Sequence, residues 1–265
     1  GVRMLGKLMK YEWKATWKFI LIANLMIAVM TIMANVTVKL DFFSYEQPDV
    51  IQFIAIMVMM TYILSMFAMI VGVAIFLVYR FYTSTYSDQG YLLHTLPVDK
   101  HHIIIAKVLV SALWIILCEF IMYLSVIILV AANGEVFETL KDGMDSIISI
   151  TISETATVRG FAVVMSLVAF LFSLFAKLLK VTACISLGQL SANHKLLVSI
   201  LYYFGIYIVQ QILGVIYLAF IAAINKNNSF YDMYGWESML VSGIVYSVVF
   251  YLITWYVMDK KLNLE

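Results

Sequence analysis

Six apolar runs, each about the length of a bilayer crossing, limit what this chain can fold into. They are Phe19–Val38, Phe53–Tyr79, Val108–Ala132, Phe161–Lys180 or beyond, Leu196–Ala223 and Met239–Met258. A helix needs about 20 mainly apolar residues to cross the hydrocarbon core, and the second run carries no charge over its whole length. The composition is 64% hydrophobic and 12% charged, against about 45–50% and about 25% in soluble domains. In water such a chain would expose more apolar surface than its polar groups could cover. The expected fold class is therefore an all-α integral membrane protein of six transmembrane helices, folded as one domain over residues 1–265. The first run is too long for a cleaved signal and leads straight into the polytopic pattern. The fourth is interrupted by Lys177 and Lys180 before apolar character resumes at "VTACISLGQL". That helix either ends at the lysines or continues well past them.

Orientation follows from lysine and arginine, which accumulate on the cytoplasmic side. With the N-terminus inside, 13 of the 17 basic residues fall in cytoplasmic segments. Only Lys39, Lys141, Arg159 and Lys226 fall outside. Both termini are expected in the cytoplasm, with a long outer loop over 133–158. In that loop Val136, Leu140, Met144 and Ile147 recur at helical spacing, as in a segment lying along the headgroups. A net charge of +1 argues against a nucleic-acid partner. Cys118 and Cys184 both lie in apolar runs and read as small buried hydrophobes.

Two polar segments stand out against this background. The N-terminal "MLGKLMKYEWKATWK" puts Leu5, Leu8, Met9, Trp13 and Trp17 on one helical face and Lys7, Lys10, Lys14 and Lys18 on another. That is the pattern of an interfacial helix over 1–18, with tryptophans at headgroup depth and lysines toward anionic membrane lipid. The second segment, "SDQGYLLHTLPVDKHHIIIAK", lies in the cytoplasmic loop 80–107. Asp88 is placed to cap a short helix, and Gly90 permits a sharp turn or helix start. Tyr91, Leu92, Leu93 and Leu96 supply an apolar surface, and Pro97 stops the helix at Leu96. His94 and Thr95 lie on the same short element. Such an element either docks a soluble partner or packs beneath its own bundle.

Within the spans, Glu119 is the one carboxylate near mid-membrane. A charge there costs about 2.5–3.5 kcal/mol on insertion scales, so such groups face protein or a wet cavity. Glu119 reads either as a helix–helix hydrogen-bonding group or as part of a transport pathway. Gln210 and Gln211, deep in the fifth run, suit interhelical hydrogen bonding, as more weakly do Asn24 and Asn35; both glutamines are also candidates for the same pathway as Glu119. Lys177 and Lys180 are three apart and share a helix face. They either snorkel to the inner headgroups or line a vestibule attractive to anions. Tyrosines of the last two runs, among them Tyr202, Tyr203, Tyr207, Tyr217, Tyr246 and Tyr251, are candidates to line the same route. His94, His101, His102 and His194 match no common zinc spacing. No H-E-x-x-H motif appears, and catalytic and metal residues are expected to be absent.

The loop sequence "GYLLHTLPV", the start "MLGKLMKYEWKAT" and "ISLGQLSANHK" resemble corresponding stretches of permease subunits of type-two ABC exporters. The likeness is greatest to the small six-span permeases of Gram-positive bacteria. The resemblance implies that Asp88, Gly90, Tyr91, Leu92, His94, Thr95, Leu96 and Pro97 form a coupling helix seated in a cytosolic ABC ATPase subunit. It also implies that residues 1–18 form an elbow helix at the inner face. No G-x-x-x-x-G-K-[ST] motif occurs, so ATP and magnesium would be bound by the partner subunit, and this chain would not be an enzyme. A second permease, a copy or a paralogue, would complete the pathway for a small amphipathic or hydrophobic substrate such as a peptide, lipid or drug-like molecule. Other readings are an ion-coupled secondary transporter working through Glu119 and a membrane immunity or interaction protein.

Overall fold

The computed structural model describes residues 2–44, 47–87, 90, 99–132, 138, 141–142, 156–191, 193–224 and 236–260. Six long helices account for most of them: α1 (Val2–Lys39), α2 (Asp49–Tyr86), α3 (Lys100–Ala132), α4 (Ala156–Gly188), α5 (Lys195–Ile224) and α6 (Trp236–Lys260). No strand occurs among the described residues. Each of the six is long and apolar enough to cross a membrane, so the chain has the make-up of an all-helical multi-pass membrane protein. Helices suit these runs because in hydrocarbon every backbone N–H and C=O must be satisfied within the segment.

The helices overrun the apolar runs that mark them. The N-terminal amphipathic stretch is the beginning of α1, a single helix of 38 residues. At 1.5 Å per residue that is roughly 57 Å, well beyond the ~30 Å hydrocarbon core. Likewise α4 does not stop at Lys177 or Lys180 but runs on to Gly188. The end of α1 is closed by a Schellman turn. Phe42 N–H donates to Thr37 C=O at 3.3 Å, Asp41 N–H donates to Val38 C=O at 3.1 Å, and Asp41 takes a left-handed φ of 51°. Pro48 then opens α2, its carbonyl accepting from the N–H of Ile51 and of Gln52.

Burial is inverted relative to a water-soluble protein. Large apolar side chains such as Ile22, Ile63 and Phe120 are exposed, as befits surfaces meeting lipid. The buried positions are rich in small and hydroxylated residues: Ala34, Ala55, Ala169 and Ala183, with Thr16, Thr31, Ser125 and Thr254. Lipid tails are as apolar as leucine, so helix association rests on close packing and interhelical hydrogen bonds.

The contacts divide the chain into two units. One comprises Met9–Leu77 and Leu113–Glu154. In it α1 and α3 run parallel, with Trp13 stacked on Trp114 at 3.9 Å and Trp114 Nε1–H donating to Thr16 Oγ1 at 2.8 Å. Further along the same pair, Ser125 Oγ hydrogen bonds with Thr31 Oγ1 at 2.6 Å and with Tyr62 OH of α2 at 2.7 Å. Asn35 Nδ2 donates to Ile128 C=O, and Phe19 stacks on Phe76.

The other unit comprises Gly1–Leu8, Val78–Ala112 and Thr155–Glu265. Its core gathers Ile103, Ile104 and Val108 of α3, Leu179 and Ala183 of α4, and Phe250 and Met258 of α6. Here α4 packs along α6 and, less extensively, against α5. Gly243 makes the first crossing possible, since a Cβ there would lie 3.1 Å from the Phe172 carbonyl carbon. Farther on, Thr182 Oγ1 meets Thr254 Oγ1 at 3.3 Å. Residue numbers rise together along α4 and α6 but oppositely along α4 and α5, as consecutive crossings require.

Candidate functional site

The second unit described above holds a cavity of about 750 Å³ among α4, α5 and α6. Its polar wall is built from all four intramembrane residues expected on α4 and α5: Lys177, Lys180, Gln210 and Gln211. The α-helical repeat explains the grouping within each helix. Lys177 and Lys180 are three apart on α4, so both point to one side, and antiparallel α5 brings Gln210 to the same level. The remaining wall is mainly apolar, with Tyr217, Tyr246, Leu213, Val241 and Val245, and includes the polar Ser173, Glu237, Ser238 and Ser242. Along α6 the cavity reaches from Tyr246 back to Glu237, roughly 14 Å at 1.5 Å per residue.

Lys180 is the centre of this arrangement. Its residue exposure is 8%, and its Nζ donates to Gln210 Oε1 at 3.0 Å. The ammonium also lies 4.7 Å from the ring centroid of Tyr203 and 5.6 Å from that of Tyr207, within the range of cation–π attraction. The apolar span of α5 covers Lys195–Tyr217, so Gln210 lies roughly 22 Å from one end and 10 Å from the other at 1.5 Å per residue. Lys180 Nζ is thus held at the level of Gln210, inside the apolar span of α5. Lys177, by contrast, is exposed.

Glu237 was not singled out by sequence because it reads as an ordinary acidic residue ahead of the sixth run. Only the parallel packing of α6 on α4 turns it toward the cavity. Tyr251 hydrogen bonds with His101 Nδ1 at 2.5 Å, and His101 also stacks on Trp255. Tyr202 is exposed on α5.

Glu119 does not line the cavity. It is half-buried on α3, and among the described residues no hydrogen bond or ion pair involves it. Its neighbour Cys118 accepts from Asn24 Nδ2 at 3.7 Å, while the buried Asn24 Oδ1 has no partner among the described residues. Both cysteines are free and buried.

On α1, Leu5, Leu8 and Met9 are half-buried, and Leu8 packs against the core of its unit. Trp13, expected at headgroup depth, is exposed and stacks on Trp114. Trp17 and all four lysines of this stretch are exposed. Of the loop residues singled out by sequence, Gly90 is described: it is buried and helical, and its N–H donates to Ser87 C=O at 2.7 Å. A Cβ at Gly90 would collide with the Thr85 carbonyl, which gives the glycine a steric reason. Asp88, Tyr91, Leu92, Leu93, His94, Thr95, Leu96 and Pro97 lie outside the described residues, as do Val136, Leu140, Met144 and Ile147 of the outer loop.

No family model matches the chain, and neither a curated protein nor a solved structure matches it.

Proposed function

We propose that the chain is a non-catalytic permease subunit of an ATP-driven ABC exporter in a bacterial plasma membrane. One observation carries the reading: "GYLLHTLPV" (residues 90–98) stands between the second and third of six apolar helices, where the resembled permeases have their coupling helix. A chain with six bilayer-length helices and a mid-span polar cavity is compatible with that role. No nucleotide-binding motif lies in these 265 residues, so ATP and magnesium belong to a cytosolic ATPase partner.

On this reading the termini are cytoplasmic, and residues 1–18 lie near the inner headgroups as the exposed lysine face allows. ATP binding closes the ATPase pair, and the coupling helices of this chain and of a second permease transmit the closure. The bundles then alternate access to a pathway for an amphipathic or hydrophobic substrate.

Leu96→Asp tests the assignment, because it puts an unpaired charge into the docking surface while leaving every span unaltered. Membrane insertion is expected to be unchanged, and transport-linked ATP hydrolysis by the assembled complex is expected to be lost. Normal stimulated hydrolysis by that variant would overturn the coupling role.

A further inference from the structure

Among the described residues, no carboxylate forms an ion pair with the lysines of the cavity. Lys180 is buried, yet among the described residues its ammonium meets a neutral amide oxygen and two aromatic faces. An ammonium has three donors, and Gln210 accepts one. Lys177, on the same face, adds a second positive charge to the same cavity. Among the described residues neither lysine is in an ion pair; Glu237 lines the cavity without reaching them. A cation kept near the middle of an apolar span is costly, and an arrangement that only served packing would dispense with it. Beyond the lysines and glutamines the walls are mainly apolar, with Leu213, Val241 and Val245, while Glu237, Ser238 and Ser242 of α6 add polar groups. Gly214 leaves room there, since a Cβ at that position would meet nothing within 4 Å.

We infer that this cavity binds a membrane-dissolved anionic amphiphile, its phosphate or carboxylate on Lys177 and Lys180 and its apolar part along α5 and α6. The size suits such a molecule, since ligand cavities commonly measure about 300–1,000 Å³. Entry from the lipid phase follows from the location, as the cavity is built wholly from spanning helices. Naming the bound molecule as cargo rests on the permease reading; its binding does not, so the test reads binding alone.

The experiment titrates the full chain, purified in a neutral detergent, with phosphatidylglycerol and with diacylglycerol of the same acyl chains. Retained adducts are counted by native mass spectrometry. The wild-type chain is expected to prefer phosphatidylglycerol by at least about tenfold, the scale of a charge-assisted hydrogen bond. The Lys177→Gln/Lys180→Gln double variant loses that preference, and Lys180→Arg keeps it. Should the double variant fail to fold, Gly214→Leu leaves both lysines in place and fills the apolar part. It is expected to weaken phosphatidylglycerol binding by about tenfold as well. Equal retention of the two lipids, a preference surviving the double substitution, or unchanged binding by Gly214→Leu would overturn the inference. Displacement of the lipid by millimolar inorganic phosphate would also overturn it, by showing a site for a free anion.

Discussion

At the scale of single residues, Lys180 separates packing from function. Its ammonium is held by one amide and two ring faces, which recover only part of the cost of a charge at mid-span. Lys180→Met keeps the length of the side chain, removes the charge and leaves Gln210 without its donor. Insertion scales put the charge at about 2.5–3.5 kcal/mol, and the lost hydrogen bond at about 1 kcal/mol. The variant is therefore expected to unfold at a higher temperature in detergent, with a gain of about 1.5–2.5 kcal/mol. A loss of more than about 2 kcal/mol would make Lys180 a structural pin. Lys177 and Lys180, Gln210 and Gln211 are each conspicuous in the sequence, because polar groups in apolar runs are rare. Their assembly into one cavity was not legible there. Hydropathy places a residue along the membrane normal but does not say which face of one helix meets which face of another.

At the scale of elements, the crossing of α4 and α6 depends on the absence of a side chain at Gly243. The Phe172 backbone lies so close that even a methyl group would need its neighbour to give by a few tenths of an ångström. Gly243→Leu is expected to force the two helices apart and destabilise the protein by about 1–3 kcal/mol, the usual cost of overpacking. Gly72→Ala serves as the comparison, since a Cβ there meets nothing within 4 Å and helix propensity alone favours alanine by roughly 0.5–1 kcal/mol. Thermal unfolding of the two variants in one detergent checks the pair; equal stability would remove the crossing as a determinant. The six helices were legible as apolar runs, but their ends were not. Hydropathy records where the chain meets hydrocarbon, whereas α1 ends where Asp41 turns left-handed and α2 begins at Pro48. The amphipathic start of α1 is a case in point: its lysine face is exposed as its spacing suggests, while Trp13 is taken up by Trp114, a partner no local pattern announces.

At the scale of the whole molecule, the functional account joins two kinds of observation. One is a six-helix apolar architecture with a lysine-lined cavity between α4, α5 and α6. The other is the loop segment 90–98, whose resemblance to exporter coupling loops underlies the proposal of an ATPase partner. Glu119, through which the alternative ion-coupled carrier would work, lies outside the cavity that Lys177, Lys180, Gln210 and Gln211 line. The account's central claim is that this chain works with a separate ATPase. The most direct measurement is to purify it in a gentle detergent from its native host and identify the proteins that accompany it in stoichiometric amounts. A soluble ATPase bearing a Walker motif, retained by the wild-type chain and lost with Leu96→Asp, is the predicted result. Recovery of this chain without any ATPase, from membranes in which it is intact, would contradict the account.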